Sequence, residues 1–401
     1  MGMSKENNFD VIIVGGGLSG LSLSCLLGRH NMRVACIDQL DPKQAPKDLR
    51  TTAISYGSKK ILDRVPEIWP QLKTACPIED IQIFDGSSPM LLQFLSEEAG
   101  GQSFGWIVDN HELKCALMAC MKTMKAVKHF APNSVKGYEI EADKASVHLE
   151  TGEILSAQLI IGADGRGSLT RKDMSKEQGF ETRGWDYHQR AVICNVRHEN
   201  PHNNVAVEHF YPAGPFAVLP LADDENGVHR SSVVFTEHGP KRKSLMNLTD
   251  EEFEIALAER FPEWYGDIKM ITKRAAFPLN LIHASEYIAP RRALVADAAH
   301  GIHPIAGQGL NLGFRDLGAI DEILQQAYEQ GADLGAQDLL QRYQRARRFD
   351  NMSMIAVTDG LVRLFSNNIP PVRIARKIGL KAVSKFPPAK RFFMRQAMGD
   401  R

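Results

Sequence analysis

The residues able to do chemistry lie in three glycine- and aspartate-marked segments far apart in the chain. The first reads Asp10-Val-Ile-Ile-Val-Gly-Gly-Gly-Leu-Ser-Gly20. An apolar run enters Gly15-x-Gly17-x-x-Gly20, a helix pattern follows, and a second apolar run, Arg33-Val-Ala-Cys-Ile-Asp38, ends in a carboxylate. This spacing predicts a βαβ unit that binds a dinucleotide. Gly15 permits the tight turn, Gly17 lets backbone approach a pyrophosphate, and Gly20 lets helix and strand pack closely. Gly17, Leu18, Ser19 and Gly20 open the helix, whose unpaired N–H groups and positive dipole end suit phosphates. Asp38, about twenty residues on, is placed to accept from a ribose hydroxyl. Alone, the fingerprint does not separate NAD from FAD.

The second segment, Leu159-Ile-Ile-Gly-Ala-Asp164-Gly165-Arg-Gly-Ser168-Leu-Thr-Arg171, is an apolar strand ending in Asp-Gly, then a helix start. The third, Arg292-Ala-Leu-Val-Ala-Asp297-Ala-Ala-His300, is another apolar strand and leads into Pro304-Ile-Ala-Gly307-Gln-Gly309-Leu310-Asn311-Leu-Gly313. With Arg50-Thr-Thr-Ala-Ile-Ser55, Gly214-Pro-Phe-Ala-Val-Leu-Pro-Leu221 and Thr358-Asp-Gly-Leu-Val-Arg-Leu-Phe365, they resemble the motifs of flavoprotein aromatic hydroxylases. These are single-component FAD monooxygenases with the p-hydroxybenzoate hydroxylase fold. Within that group the chain resembles the ubiquinone-biosynthesis ring hydroxylases. The resemblance covers almost the whole chain and rests on the order and spacing of the motifs together. One departure is visible: Ala296 precedes Asp297 where the family usually has Gly. Its methyl group is expected to crowd the cofactor slightly.

The resemblance implies FAD as cofactor, NAD(P)H as reductant, O2 as oxidant, and a polyprenylated phenol or quinone precursor as substrate. In such enzymes reduced flavin and O2 give a C4a-hydroperoxide, and an electron-rich ring attacks its terminal oxygen. No second nucleotide fingerprint appears, which fits the family and equally fits a separate reductase or ferredoxin. Pro304, Gly307 and Gly309 are the expected catalytic segment. By resemblance Pro304 lies beside the flavin on the substrate side, and the two glycines leave room for the ring plane. A glycine-rich loop entering a helix places N–H groups near the flavin N1–C2=O edge, in the manner of an oxyanion hole. Gly309, Leu310 and Asn311 are expected cofactor contacts. Asp297 would bond the ribityl chain or, through water, the phosphates. Asp164 would sit near the pyrophosphate through a water or backbone mediator. Arg50 is the expected pyrophosphate cation, a solvated arginine being the alternative. Arg171 is either a cofactor contact or a structural partner. Asn110, with Leu113, matches a family position that helps hold the cofactor. Two other functions stay open: a hydroxylase of a small soluble phenol, and a flavin-binding assembly protein of the quinone-synthesis complex. His300 and His303 form an H-x-x-H pair, but zinc needs a third ligand and an open position, and nothing nearby in sequence supplies them. No metal is expected.

These motifs need elements to position them. Apolar strands at 10–15, 33–38, 159–163 and 293–297 suit a buried parallel sheet. The cofactor motifs are dispersed, so the FAD-binding domain is expected to be discontinuous, over 1–77, 105–178 and 278–366. The intervening 78–104 and 179–277 alternate with period two, as in Ala206-Val-Glu-His-Phe-Tyr211, and read as an antiparallel substrate domain. Thr249 before Glu252 marks a capping-box helix start. The expected fold is α/β: a Rossmann-type FAD-binding domain with a parallel sheet, an antiparallel-sheet substrate domain, and C-terminal helices. The chain has 401 residues, 43% hydrophobic, enough for a large core. Lys+Arg and Asp+Glu both number 48, which gives no case for nucleic acid. Six cysteines without a C-x-x-C pair read as reduced, mostly buried thiols. The polar N-terminus shows no apolar signal region, so a cytoplasmic protein is expected. From Pro371 to Arg401, nine basic residues face the single acid Asp400 and alternate with apolar ones. This tail, 367–401, reads either as a solvated basic face on packed helices or as a peripheral patch for the inner membrane face or a partner complex.

Overall fold

From Phe9 to Val14 only Asp10 is polar, and such a run is stable only as an interior strand covered on both faces. The computed structural model describes residues 7–43, 48–86, 88, 90–239, 244–367 and 369–399. In it, Asn8–Val14 pairs in parallel with Val34–Ile37 on one side and Ile154–Gly162 on the other. Val127–Phe130 and Arg292–Leu294 extend this sheet in parallel on its two flanks. Helices are labelled in chain order: α1 Leu18–Gly28, α2 Tyr56–Leu62, α3 Asn110–Thr123, α4 Leu169–Gln178, α5 Asp250–Ala258, α6 Gln308–Glu329, α7 Gln337–Phe365, α8 Pro370–Lys385 and α9 Pro387–Met398. Strand side chains alternate between two cores, as the pleat requires. Val11, Ile13, Cys36 and Ile161 pack with residues of α1, α3 and α6. Ile12, Val14, Ile37 and Ile160 pack on an antiparallel layer built from Val135–Ile140 and Ala145–Leu149. Helix α1 lies in this interior, buried from Gly20 to Gly28.

The second sheet is mostly antiparallel and has nine strands among the described residues. Its spine is Thr182–His198, which pairs with Arg230–His238 on one edge and with Ala275–Ala284 on the other. Asp80–Asp85 joins the far side in parallel with Val205–Tyr211 and carries Leu92–Leu95 on its outer edge, so both strands are part of this sheet. Ala275–Ala284 runs across residue 277 and pairs with Thr182–His198 along most of its length. One face carries Val192, Val207, Phe216 and Val233, closed by Phe253 and Leu257 of α5. The capping box at Thr249 starts that helix: Thr249 Oγ1 accepts from Glu252 N at 3.2 Å, and Glu252 Oε2 from Thr249 N at 2.8 Å. The other face looks into the cavity described below. Parallel and antiparallel sheets with covering helices make the molecule the α/β fold expected.

The basic C-terminus forms α8 and α9, held to the body by Met394 and Met398 among Ile78, Leu92, Phe94 and Phe104. Two of its cations are spent internally: Arg376 Nη2 bonds Asp85 Oδ1 at 2.6 Å, and Lys390 pairs with Glu98. Asp400 and Arg401 lie outside the described residues. All six cysteines are free, and five are buried.

Candidate active site

The two sheets and α6–α9 enclose one large cavity of about 1470 Å³. Ordinary ligand pockets run to roughly 1,000 Å³, so this one has room for more than one ligand. Two helix N-termini open onto it. Gly17, Leu18 and Ser19 at the start of α1 line it, as do Gly307, Gly309 and Leu310 at the start of α6. Neither terminus has a side-chain cap or an acidic residue in its first turn. Each therefore offers free N–H groups and a positive dipole end to an anionic or carbonyl partner.

Each glycine of the first turn has a different reason to be glycine. Gly15 has φ +113°, and a Cβ there would lie 2.4 Å from Ala163 O. A Cβ on Gly20 would lie 1.8 Å from Gly15 O. One on Gly17 would meet nothing within 4 Å, because that position faces the cavity.

The second terminus is held by buried polar ties. Asn311 donates to Ala53 O and Gly307 O, both at 2.8 Å, and accepts from Ser55 N at 2.8 Å. It pins the loop to the strand Thr51–Ser55. Asp316, fully buried on α6, accepts from Ala296 N at 2.9 Å, His300 Nε2 at 2.5 Å and Arg347 Nε at 2.8 Å. Burial opposes its ionisation, but His300 and Arg347 hold its carboxyl well below the usual carboxylate range. Arg166 bridges the loop to the second sheet, donating to Asn280 Oδ1 at 2.6 Å and Ile302 O at 3.0 Å, with Asp297 Oδ2 at 3.3 Å. His303, buried beside Pro304, has no hydrogen-bond partner on either ring nitrogen among the described residues. Burial, then Arg166, pushes its imidazole down to about 4, so it faces the cavity uncharged.

Residues 8–357 match the FAD binding domain family. The chain is 41% identical over 400 residues to the ubiquinone hydroxylase UbiL of Rhodospirillum rubrum, covering 99% of this chain and 91% of that protein. The chain belongs to this family of FAD-dependent ring hydroxylases. It is 32% identical to the 3-demethoxyubiquinol 3-hydroxylase of Escherichia coli, over 97% of this chain and 98% of that one. Among solved structures it is similar to p-nitrophenol 4-monooxygenase PnpA from Pseudomonas putida. The TM-score is 0.80 at 19% identity, covering 98% of this chain and 99% of that one.

As an FAD-dependent hydroxylase, the chain can be tested residue by residue for fit to FAD. Two uncapped helix N-termini on one cavity suit a pyrophosphate and a flavin ring edge, and the open space at Gly17 suits close phosphate approach. Asn110, at the start of α3, lines the cavity with its Oδ1 unpartnered. Arg50 also lines it and is held by Asp48 through two 2.8 Å bonds. Asp297, Pro304 and Asn311 line it as well.

Four expected residues stand back from the wall. Asp38 accepts from Leu40 N at 3.1 Å and lies 3.8 Å from Lys114 Nζ, and it is Leu40 and Lys114 that reach the cavity. Asp164 turns away: its carboxylate accepts from Ser168 Oγ at 2.5 Å and from Thr170 N and Oγ1 at 3.0 Å, holding the start of α4. Arg171 bonds backbone carbonyls of Ala298 at 2.7 Å and Arg166 at 2.6 Å, a structural use. Leu113 is core. Sequence reasoning missed Arg166 and weighed His303 only as half of a zinc-type pair. The partners of Arg166 lie more than a hundred residues away, so no local spacing signals it. Among the described residues no group of three or more His, Cys, Asp or Glu is placed to hold a metal.

Proposed function

We propose that the chain inserts one oxygen atom of O2 into the aromatic ring of a polyprenylated ubiquinone precursor, with FAD as cofactor and NAD(P)H as reductant. The chemistry FAD supplies when bound is reductive activation of O2 for transfer to an electron-rich ring. The chain's own part is to bind, orient and dry the site. Gly17–Gly20 and Arg50 would hold the pyrophosphate. The N–H groups of Gly309 and Leu310 would face the flavin edge. The apolar sheet face, with Ile83, Ala217 and Leu219, would cover the ring and exclude water.

One observation carries the polyprenyl reading. The cavity continues past the sheet face between α7 and the C-terminal helices, lined by Leu361, Phe365, Leu380 and Val383, to Phe392 and Phe393. Those two rings are 57% and 44% exposed, so the path ends at the outer surface. A polar head with a long apolar tail matches such a wall. The surface around that mouth also supports a peripheral membrane contact. Ile374, Ile378 and Phe386 are exposed there, beside exposed Lys381, Lys385, Arg391 and Arg395. No helix among the described residues is long and apolar enough to cross a membrane.

The test is hydroxylation under isotopically labelled O2 by purified, flavin-loaded protein with NADH or NADPH. Paired phenols with and without a short prenyl chain are compared. We expect one labelled oxygen in the product and at least a tenfold higher kcat/KM for the prenylated ring, since each buried CH2 contributes about 0.8 kcal/mol. Equal kcat/KM would favour a soluble phenol. Flavin that binds without turnover would favour an assembly role.

A further inference from the structure

We infer that Glu208 receives the ring hydroxyl of the substrate and takes its proton. The inference rests on the hydroxylase reading above and deepens it at one residue. Glu208 lies in the middle of Val205–Tyr211, on the strand face that carries Ala206 and Phe210. Its cross-strand partners are Ala217 on one side and Ile83 on the other. All of these line the cavity, with Leu219 and Ile81 beyond them. A carboxyl group therefore stands in an otherwise apolar wall. It is enclosed by protein, yet its remaining accessible surface opens on the cavity.

The carboxyl has no partner to explain its presence. Among the described residues nothing donates a hydrogen bond to it, and burial alone pushes it up to about 7. The titratable groups around it are engaged or far off. Asp85, on the adjacent strand, is tied to Arg376 of α8. His303 faces the cavity from the loop before α6, and Asp48, Arg50, Lys114, Arg166 and Asp297 line its cofactor side. None of these shifts Glu208. An unpaired buried carboxylate is costly, so an apolar sheet face does not retain one for packing.

Its place suits the ring. Phe210, two residues along the same strand face and so about 6.7 Å on, packs with Ile305, the neighbour of Pro304. The cavity wall at Glu208 thus lies next to the segment expected at the flavin. A base that titrates near neutral pH is well matched to a proton transfer. The phenol O–H bond breaks and a Glu208 Oε–H bond forms. The O–H electron pair stays on the ring oxygen and raises electron density at the ring carbons. O2 is the oxidant and NAD(P)H the two-electron reductant; one oxygen atom enters the ring and the other leaves as water, with one proton taken up from solvent. The proton on Glu208 then returns to the ring oxygen, restoring the carboxylate.

The experiment uses full-length, flavin-loaded wild type, Glu208→Gln and Glu208→Asp, with 2-prenylphenol as probe. Flavin content and melting temperature check that each variant is folded. Binding is read from perturbation of flavin absorbance, between about pH 5 and about pH 9, and turnover from product formation. Wild-type affinity should rise roughly tenfold as Glu208 ionises, because a hydrogen bond to a charged acceptor is the stronger one. Wild-type kcat/KM should climb with the same midpoint near pH 7. Glu208→Gln should lose both pH dependences and about a hundredfold in kcat, and Glu208→Asp should recover part. Equal affinity and pH dependence in wild type and Glu208→Gln, including no binding by either, would overturn the assignment. Binding with the Glu208-dependent pH profile but no product would support Glu208 and refute the hydroxylase reading.

Discussion

Gly17→Val separates the fold from the ligand. Gly17 has φ −74° and ψ −177°, ordinary extended backbone that valine adopts freely. Its Cβ would meet nothing within 4 Å. Folding of the apo protein should therefore change by only about 1 kcal/mol, the cost of valine in place of glycine at the N-cap of α1. The neighbouring glycines behave otherwise. Valine at Gly15 must enter a left-handed conformation 2.4 Å from a carbonyl oxygen, and at Gly20 it meets one at 1.8 Å. What the valine at 17 fills is the space in front of the α1 N–H groups. Losing two charge-assisted hydrogen bonds to a pyrophosphate, at about 1.5–3 kcal/mol each, weakens FAD binding by roughly 10²- to 10⁴-fold. The assay has two arms. Chemical denaturation of the apo proteins gives the folding term, and flavin fluorescence titration gives the affinity. Added FAD should raise the wild-type melting temperature by mass action and leave that of Gly17→Val nearly unmoved. Wild-type flavin affinity in Gly17→Val would refute the placement of the pyrophosphate at α1. A large loss of apo stability would refute the claim that Gly17 is kept for a ligand.

Three further outcomes are expected. Gly309→Val also enters open space, its Cβ 4.0 Å from Ile302 Cγ1. It should keep most FAD through the α1 site but lose about 10²- to 10³-fold in turnover, the worth of a preorganised donor of roughly 3–4 kcal/mol; full turnover would remove this loop from the flavin edge. Ala296 has φ +52°, and a Cβ on Gly313 would come 2.7 Å from the Ala296 Cβ. Gly313→Ala should therefore destabilise by about 1–3 kcal/mol as an overpacked contact, and Ala296→Gly should restore most of it. A denaturation double-mutant cycle with no coupling would show that the two methyl positions do not compete. The last outcome concerns pH and Glu208, whose carboxyl is raised from 4.5 to about 7 in the folded protein. The folded state then binds more protons than the unfolded chain between those values, so stability falls as pH rises through them and the penalty is complete above 7. The upper bound is about 3 kcal/mol. Glu208→Gln should be more stable than wild type near pH 8.5 and equal to it near pH 4.5; a pH-independent difference would sink the argument.

Backbone requirements were the most legible part of the sequence. Gly15 and Gly20 stand where a Cβ would collide with backbone oxygens, as the tight turn and close packing require, and the strands Asn8–Val14, Val34–Ile37, Ile154–Gly162 and Arg292–Leu294 lie in one parallel sheet. Side-chain destinations were less legible, because a carboxylate after a strand has two local uses. Asp164 reads as a phosphate neighbour, yet the Ser168 and Thr170 that follow it take its oxygens for the start of α4. Ala296 is expected to crowd the cofactor; it lines the cavity, and its methyl group also lies against Gly313 of α6, a neighbour that no local spacing announces. Glu208 was hidden by the alternation that revealed its strand. In Ala206-Val-Glu-His-Phe-Tyr211 a glutamate at a period-two position reads as the solvated face of an antiparallel sheet. Here both faces are covered, one by α5 and the other by the cavity and the C-terminal helices. The tail shows the same limit. Charge counting saw nine cations, but only contacts across the fold show that Arg376 and Lys390 are internal. A truncation of 372–401 would also uncover the site of Met394 and Met398. Membrane contact is therefore better probed by polar substitutions at exposed Ile374, Ile378 and Phe386.

The segment from Ala296 to Gly309 is built only of two 3-10 turns, a two-residue strand and the first residues of α6, yet N–H groups that stabilise developing charge work only if they do not reorganise. The fold meets that demand from behind. Asp316 gathers Ala296 N, His300 and Arg347 into one buried cluster on α6 and α7. Asn311 ties the first turn of α6 to Ala53 and Ser55, and Arg166 ties Ile302 to Asn280. The loop is thus held at its start, middle and end by side chains from different segments. This divides the H-x-x-H pair: His300 belongs to the clamp, and His303 faces the cavity. It also accounts for the dispersion of the cofactor motifs. A site made rigid by short links could be built from neighbouring residues, but this one stands between two sheets. The ties that fix it must come from both, and so from opposite ends of the chain.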